Sequence, residues 1–196
     1  MAYTEIPVTG GNFKIIGGRA DGVNYQYQAV LDDFWNARLI RIATYNYDLP
    51  FSEAELSRLS RLINDRGIDA KVILGVPGIQ NNNEWKKRLE DTLNQAMSCF
   101  HTDMIRINCV NHAKIIGTEN KVYIGSQNIS TGSCKNYEAG IIIEDIEIVQ
   151  KVYESIFSDI WRESVKLDAA WDSFGSVHDC AFARTADAVW DRYTNL

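Results

Sequence analysis

The segment from residue 38 to residue 78 constrains the fold most, because it changes hydrophobic period twice within forty residues. "RLIRIATY" (38–45) is a β-branched run with strand character. "SEAELSRLSRLIND" (52–65) then places Ser52 three residues before Glu55, the reciprocal capping pattern of a helix start, and repeats apolar residues at Leu56, Leu59, Leu62 and Ile63 before Gly67. "DAKVILGVPG" (69–78) returns to a β-branched run closed by Pro77 and Gly78. Strand, helix and strand in this order call for helices layered on a sheet, an α/β fold.

The flanks extend the pattern. "YQAVLDDFWNA" (27–37) carries Val30, Leu31, Phe34 and Trp35 on one helical stripe, and "NEWKKRLEDTLNQAM" (83–97) does the same with Trp85, Leu89, Leu93 and Met97. Three extended runs follow, "DMIRINCVNHAKIIG" (103–117), "KVYIGSQ" (121–127) and "YEAGIIIED" (137–145). A long amphipathic helix then carries Ile146, Val149, Tyr153, Ile156, Ile160 and Trp161. The expected organisation is one domain over 1–167, β-rich at its centre, with a helical appendage over 168–196 that caps the domain or contacts a partner. The appendage holds two tryptophans and expected short helices with no clear period.

With 196 residues, 45% of them hydrophobic, the chain can bury one good core. No run approaches the roughly 20 apolar residues that span a bilayer, and the start has no basic region followed by an apolar stretch, so a cytoplasmic protein without a membrane partner is expected. Cys99, Cys109, Cys134 and Cys180 lack the paired spacing of zinc or redox motifs and read as free thiols, with no metal and no cofactor. A formal charge of −6 repels polyanions at long range, so a nucleic-acid partner has to be met through a local basic patch.

The chemistry is concentrated in "VNHAKIIGTENKVYIGSQNIS" (110–130). On a continuous strand, residues two apart share a face, which places Arg106, Asn108, His112 and Lys114 on one side, opposite Ile105, Ile107, Cys109, Ala113 and Ile115. If the strand turns back with residue 116 opposite 122, residue 112 lies opposite 126 and His112, Lys114, Ser126 and Asn128 converge. A histidine, a fixed cation, a hydroxyl and an amide around one point suit a phosphate diester: the cation and amide bind non-bridging oxygens, and the imidazole can attack phosphorus. Gly125 lets the backbone pass close to such a ligand, Arg106 is a further phosphate contact, and Glu138, just before an apolar strand, can orient the histidine. Tyr45, with Asn46 and Tyr47, follows a strand end where ligands of α/β sheets gather. Lys86, Lys87 and Arg88 read as a solvated helix face, and His101 and His178 receive no role.

These residues resemble the phospholipase D-like superfamily, whose pattern is His-x-Lys, an acidic residue several positions on, then Gly-Ser-x-Asn. The chain is similar to the single-motif branch of bacterial endonucleases and restriction-enzyme nuclease domains. The likeness in layout covers roughly residues 25–165, and residues 112–138 carry the specific motif. It implies a mixed central β-sheet flanked by helices and a metal-independent phosphodiesterase. In it His112 becomes a phosphohistidine, Lys114 and Asn128 bind phosphate, Ser126 supports the site by hydrogen bonding and Glu138 orients His112. Glu119 stands where the family usually has Asp, and the segment from there to Gly125 is one residue shorter than the common form. One imidazole attacks and another acid must protonate the leaving oxygen, so a single motif implies a homodimer sharing one site. The expected activity is endonucleolytic cleavage of DNA or RNA. The alternatives are a phospholipid phosphodiesterase and a phosphate-binding or nucleic-acid-binding module of the same fold with weak turnover.

Overall fold

The computed structural model describes residues 4–7, 12–19, 25–75, 91–108 and 111–167. Within them the chain runs β1 (Thr4–Pro7), β2 (Phe13–Arg19), α1 (Gln28–Asp33), β3 (Leu39–Thr44), α2 (Glu53–Arg66), β4 (Asp69–Gly75) and α3 (91–97). It continues through β5 (Ile105–Asn108), β6 (Ile115–Thr118), β7 (Val122–Gly125), β8 (Tyr137–Ile143), α4 (Ile146–Lys151), α5 (Ser158–Arg162) and β9 (Val165–Lys166). The expected appendage over 168–196, the helix before residue 91 and His178 lie outside the described residues.

The expected α/β class holds. Among the described residues one nine-stranded mixed sheet has the order β1-β2-β8-β7-β6-β3-β4-β5-β9, in which β3, β4 and β5 are parallel and the other neighbours antiparallel. Strands β1, β2 and β9 were not anticipated from periodicity.

Alternation decides which layer each residue joins. Ile40, Ile42, Val72, Leu74, Ile116 and Tyr123 face a core with Val30, Leu31, Leu59 and Ile63 of α1 and α2. Ala43, Ile73, Ile115, Val122 and Ile143 face the other way, under Val149, Val152 and Phe157. Helix α2 begins as its sequence predicts: Ser52 and Glu55 form both halves of the capping box, and Gly67 ends it in the left-handed conformation at φ 62°. The C-terminal helix contains a π-helical stretch, Val152–Phe157, between α4 and α5.

Two expectations about the central hairpin are corrected. Residues 103–117 do not form one strand; β5 and β6 are separate, with β4 and β3 between them in the sheet. Asn111 helps explain the break. Its backbone N–H donates to the Asn108 carbonyl (3.1 Å), its side-chain Nδ2 to the Thr44 carbonyl (3.3 Å), and its Oδ1 accepts from Ala113 N–H (3.0 Å). A buried amide spent in this way ties the chain to the end of β3, so that it can enter the sheet on the far side of that strand. The hairpin register also differs by one: Ile116 lies opposite Tyr123, because only Glu119 and Asn120 separate Thr118 from Lys121, whose carbonyl accepts the Thr118 N–H at 2.9 Å.

Candidate active site

The motif residues meet through strand direction more than through a shared pleat. β6 runs antiparallel to β3 and β7, and β8 antiparallel to β7, so the starts of β6 and β8 and the ends of β3 and β7 lie at one end of the sheet. His112 and Lys114 precede β6, Ser126 and Asn128 follow β7, Glu138 is at the start of β8, and Tyr45 follows β3. The parallel strands β3, β4 and β5 present their carboxyl ends there, where α/β sheets bind ligands.

Lys114 is the buried cation of the group, 6% exposed, and its Nζ donates to the His112 carbonyl at 2.6 Å. Burial pushes its pKa down, and the Glu138 carboxylate pulls it part of the way back. Glu138, itself buried, accepts the Ser126 hydroxyl at one oxygen and Asn136 Nδ2 (3.4 Å) at the other. Ser126 Oγ also accepts from the Ala139 N–H at 3.0 Å, which fixes the hydroxyl between strand and carboxylate. The expected contact from Glu138 to His112 is replaced by these bonds. His112 is exposed, and its ring lies against Tyr45 with centroids 5.5 Å apart, at the edge of a recess of about 360 Å³ that Asn111 and Glu163 also line.

Asn128 is held by its backbone: its carbonyl accepts from Tyr27 Oη (3.3 Å) and Ser133 Oγ (2.8 Å), while its side-chain Oδ1 is buried without a hydrogen-bond partner. The fold therefore leaves capacity in that amide. A network not anticipated from the sequence holds the loop in place. Tyr123 Oη donates to Gln26 Oε1 (2.7 Å) and accepts from Gln127 N–H (3.3 Å), and Gln127 Oε1 accepts from Gln26 N–H (2.8 Å). Tyr123, Gln26 and Gln127 are all buried. The signal for Gln127 was present in the alternation: a residue between outward Ser126 and Asn128 points inward.

One expectation changes here, and two further residues gain a structural account. Arg106 does not face His112; its guanidinium stacks on Trp161 (4.3 Å) and donates to the Trp161 carbonyl (2.6 Å), because β3 and β4 lie between β5 and β6. Gly125 has a packing reason, since a Cβ there would stand 2.1 Å from Tyr123 Oη. Glu119 sits at the opposite end of β6 from His112, accepting the backbone N–H groups of Arg38 and Leu39 at 3.0 Å. Cys99 and Cys134 are buried free thiols, and burial pushes Cys99 up to about 12. His101 is exposed and bonded to Asp103.

A family model described as "Cardiolipin synthase, PLD-like domain" matches residues 36–161, which contain every motif residue. The chain belongs to the phospholipase D-like superfamily. Its sheet and flanking helices have the phospholipase D-like fold also seen in Nuc from Salmonella typhimurium, a phospholipase D family member. That likeness has 18% identity and a TM-score of 0.52, covering 78% of this chain and 96% of Nuc. Phosphatidylserine synthase from Haemophilus influenzae Rd KW20 matches at 15% identity and a TM-score of 0.55, over 85% of this chain and 40% of that one. TrmBL2, an archaeal chromatin protein described with a novel mode of DNA binding, matches at 14% and 0.50, over 82% and 55%. No curated protein matches the sequence. Phospholipase D-like membership supports phosphodiesterase-type chemistry at the level of the superfamily.

Proposed function

We propose that this chain is a metal-independent phosphodiesterase, an endonuclease that cleaves DNA or RNA through a phosphohistidine in a site shared by two copies. The observation that carries the reading is the meeting of His112, Lys114, Ser126, Asn128 and Glu138, from separate segments, at one end of the sheet. An exposed imidazole beside a buried ammonium and an amide with spare capacity suits attack on a diester whose non-bridging oxygens need neutralising. In the first half-reaction the His112 ring forms the N–P bond, the P–O bond to the leaving strand breaks, and an acid protonates that oxygen. In the second, water attacks phosphorus, the N–P bond breaks, and one water has been consumed. Ser126 and Glu138 act as positioning residues.

Nucleic acid is favoured over a phospholipid because the amphipathic helix buries Val149, Val152 and Phe157 against the sheet, and the Ile146 and Ile156 side chains that stay exposed are less apolar surface than an interfacial helix presents. The leaving-group acid is the partner subunit's His112, since among the described residues the other histidine, His101, is bonded to Asp103.

The test presents plasmid, single-stranded DNA, RNA and a phospholipid to wild type and His112→Ala, each with EDTA. Cleavage of a nucleic acid that survives chelation and vanishes in the variant is expected; loss in EDTA with recovery in magnesium, or hydrolysis of the lipid alone, refutes the reading. Co-refolding equal amounts of wild type and His112→Ala should leave about a quarter of the activity if the site is shared and about half if each chain acts alone.

A further inference from the structure

At the far end of β3 from Tyr45, the layer under the C-terminal helix contains a second cavity, of about 450 Å³. Its floor is Leu39 and Arg41 of β3 and Lys71 of β4, and Val149, Phe157 and Trp161 stand along the helix side. Arg41, which Lys71 pairs with across β3 and β4, is three residues from Thr44 beside the motif, about 10 Å at 3.3 Å per residue, and the two cavities share no lining residue.

The cations of the cavity are unequal. Arg41 is fixed by the fold: Nη1 donates to the carbonyls of Ile40 (3.0 Å) and Asp69 (2.6 Å), Nη2 pairs with the Asp69 carboxylate, and the guanidinium lies 5.9 Å from the Phe157 ring centre. Lys71 has no carboxylate within ion-pair distance among the described residues; its Nζ lies 5.5 Å from the Trp161 ring centre. A half-buried ammonium facing aromatic walls, with no carboxylate within ion-pair distance among the described residues, has capacity for one anion.

The wall itself is built with local cost. The helix opposite Lys71 is π-helical over Val152–Phe157, a geometry concentrated at functional sites. Tyr153 reaches from that stretch to donate to the Thr118 carbonyl (2.8 Å), and the missing side chain of Gly117 admits its phenol, since a Cβ there would stand 2.0 Å from the hydroxyl. Two carboxylates limit the guest: Glu119 and Glu154 border the same cavity and repel a second negative charge.

We infer that this cavity is a binding site for a small monoanion with an aromatic or otherwise apolar body, its charge on Lys71 and its body against Phe157 and Trp161. The volume is in the range of pockets that enclose drug-sized ligands, roughly 300–1,000 Å³. The site is independent of the phosphodiesterase reading.

The experiment titrates the full chain with 8-anilinonaphthalene-1-sulfonate, an aromatic monoanion, and with N-phenyl-1-naphthylamine, its uncharged counterpart. Saturable one-to-one binding of the sulfonate is expected, displaced by naphthalene-2-carboxylate and not by citrate. Lys71→Met should weaken the sulfonate about tenfold or more, as loss of a charge-assisted contact does, while leaving the neutral probe unchanged. Lys71→Arg should retain sulfonate binding, and His112→Ala should bind like wild type. Unaltered sulfonate affinity in folded Lys71→Met, equal loss in Lys71→Arg, displacement by citrate, or loss in His112→Ala would each overturn the assignment.

Discussion

Replacing Gly125 by alanine separates two explanations of the glycine in the motif. If the glycine serves close approach of the ligand, the methyl group should raise KM and leave stability alone. The structure gives a different account. An alanine Cβ at this position would meet Tyr123 Oη at 2.1 Å, Tyr123 Cζ at 2.5 Å and the Ala139 carbonyl oxygen at 2.7 Å. One of these is backbone of the paired strand, and the ring is fully buried and held by Gln26, so neither neighbour can retreat freely. Overpacking of this kind costs about 1–3 kcal/mol, and displacing the phenol from Gln26 adds about 1 kcal/mol, giving about 2–4 kcal/mol in all. For a chain of this size that is a fall in Tm of roughly 4–16 °C. Urea denaturation of Gly125→Ala beside Gly132→Ala, where an added Cβ meets nothing within 4 Å, measures it. Because Tyr123 also accepts from the Gln127 N–H, activity should fall together with stability. A Gly125→Ala protein within about 0.5 kcal/mol of wild type would refute the packing argument.

Three further outcomes follow from the same geometry. His112→Ala removes an exposed ring, so turnover should vanish while the denaturation midpoint stays within about 0.5 kcal/mol of wild type; a large loss of stability would mean that the ring is structural. Burial holds the Lys114 pKa down and Glu138 raises it, so Glu138→Gln removes the upward pull and should move the alkaline limb of the pH–rate profile to lower pH; a shift to higher pH contradicts the pairing. Glu119→Ala leaves the amides of Arg38 and Leu39 without their acceptor and should cost about 1–2 kcal/mol by chemical denaturation, comparable to a lost helix cap, with kcat unchanged in the folded protein because the residue is at the other end of β6.

The features legible in the sequence were those whose causes lie within a few residues. Ser52, Glu55 and Gly67 announce the two ends of α2 because a cap is satisfied within one helical turn, and the β-branched runs at 39–44 and 69–75 become strands. The candidate site was legible for a related reason: His112, Lys114, Ser126 and Asn128 stand close together in the chain, and their functional groups are the ones that the proposed phosphate ligand calls for before any fold is known. The tertiary structure decided what depends on partners far along the chain. The break before β6 involves Asn111 bonding Thr44, 67 residues away, and no local pattern reports that bond. That break sends Arg106 to a different strand from the motif and makes it a partner of Trp161, 55 residues on. Gly125 likewise has a structural cause only once Tyr123 is held by Gln26, and Glu138 has one only once β8 lies beside β7 and brings it to Ser126. A strand's alternation states which of its side chains share a face, but the neighbours across that face are set by chain path, and chain path is fixed by the packing and hydrogen bonding of the whole sheet.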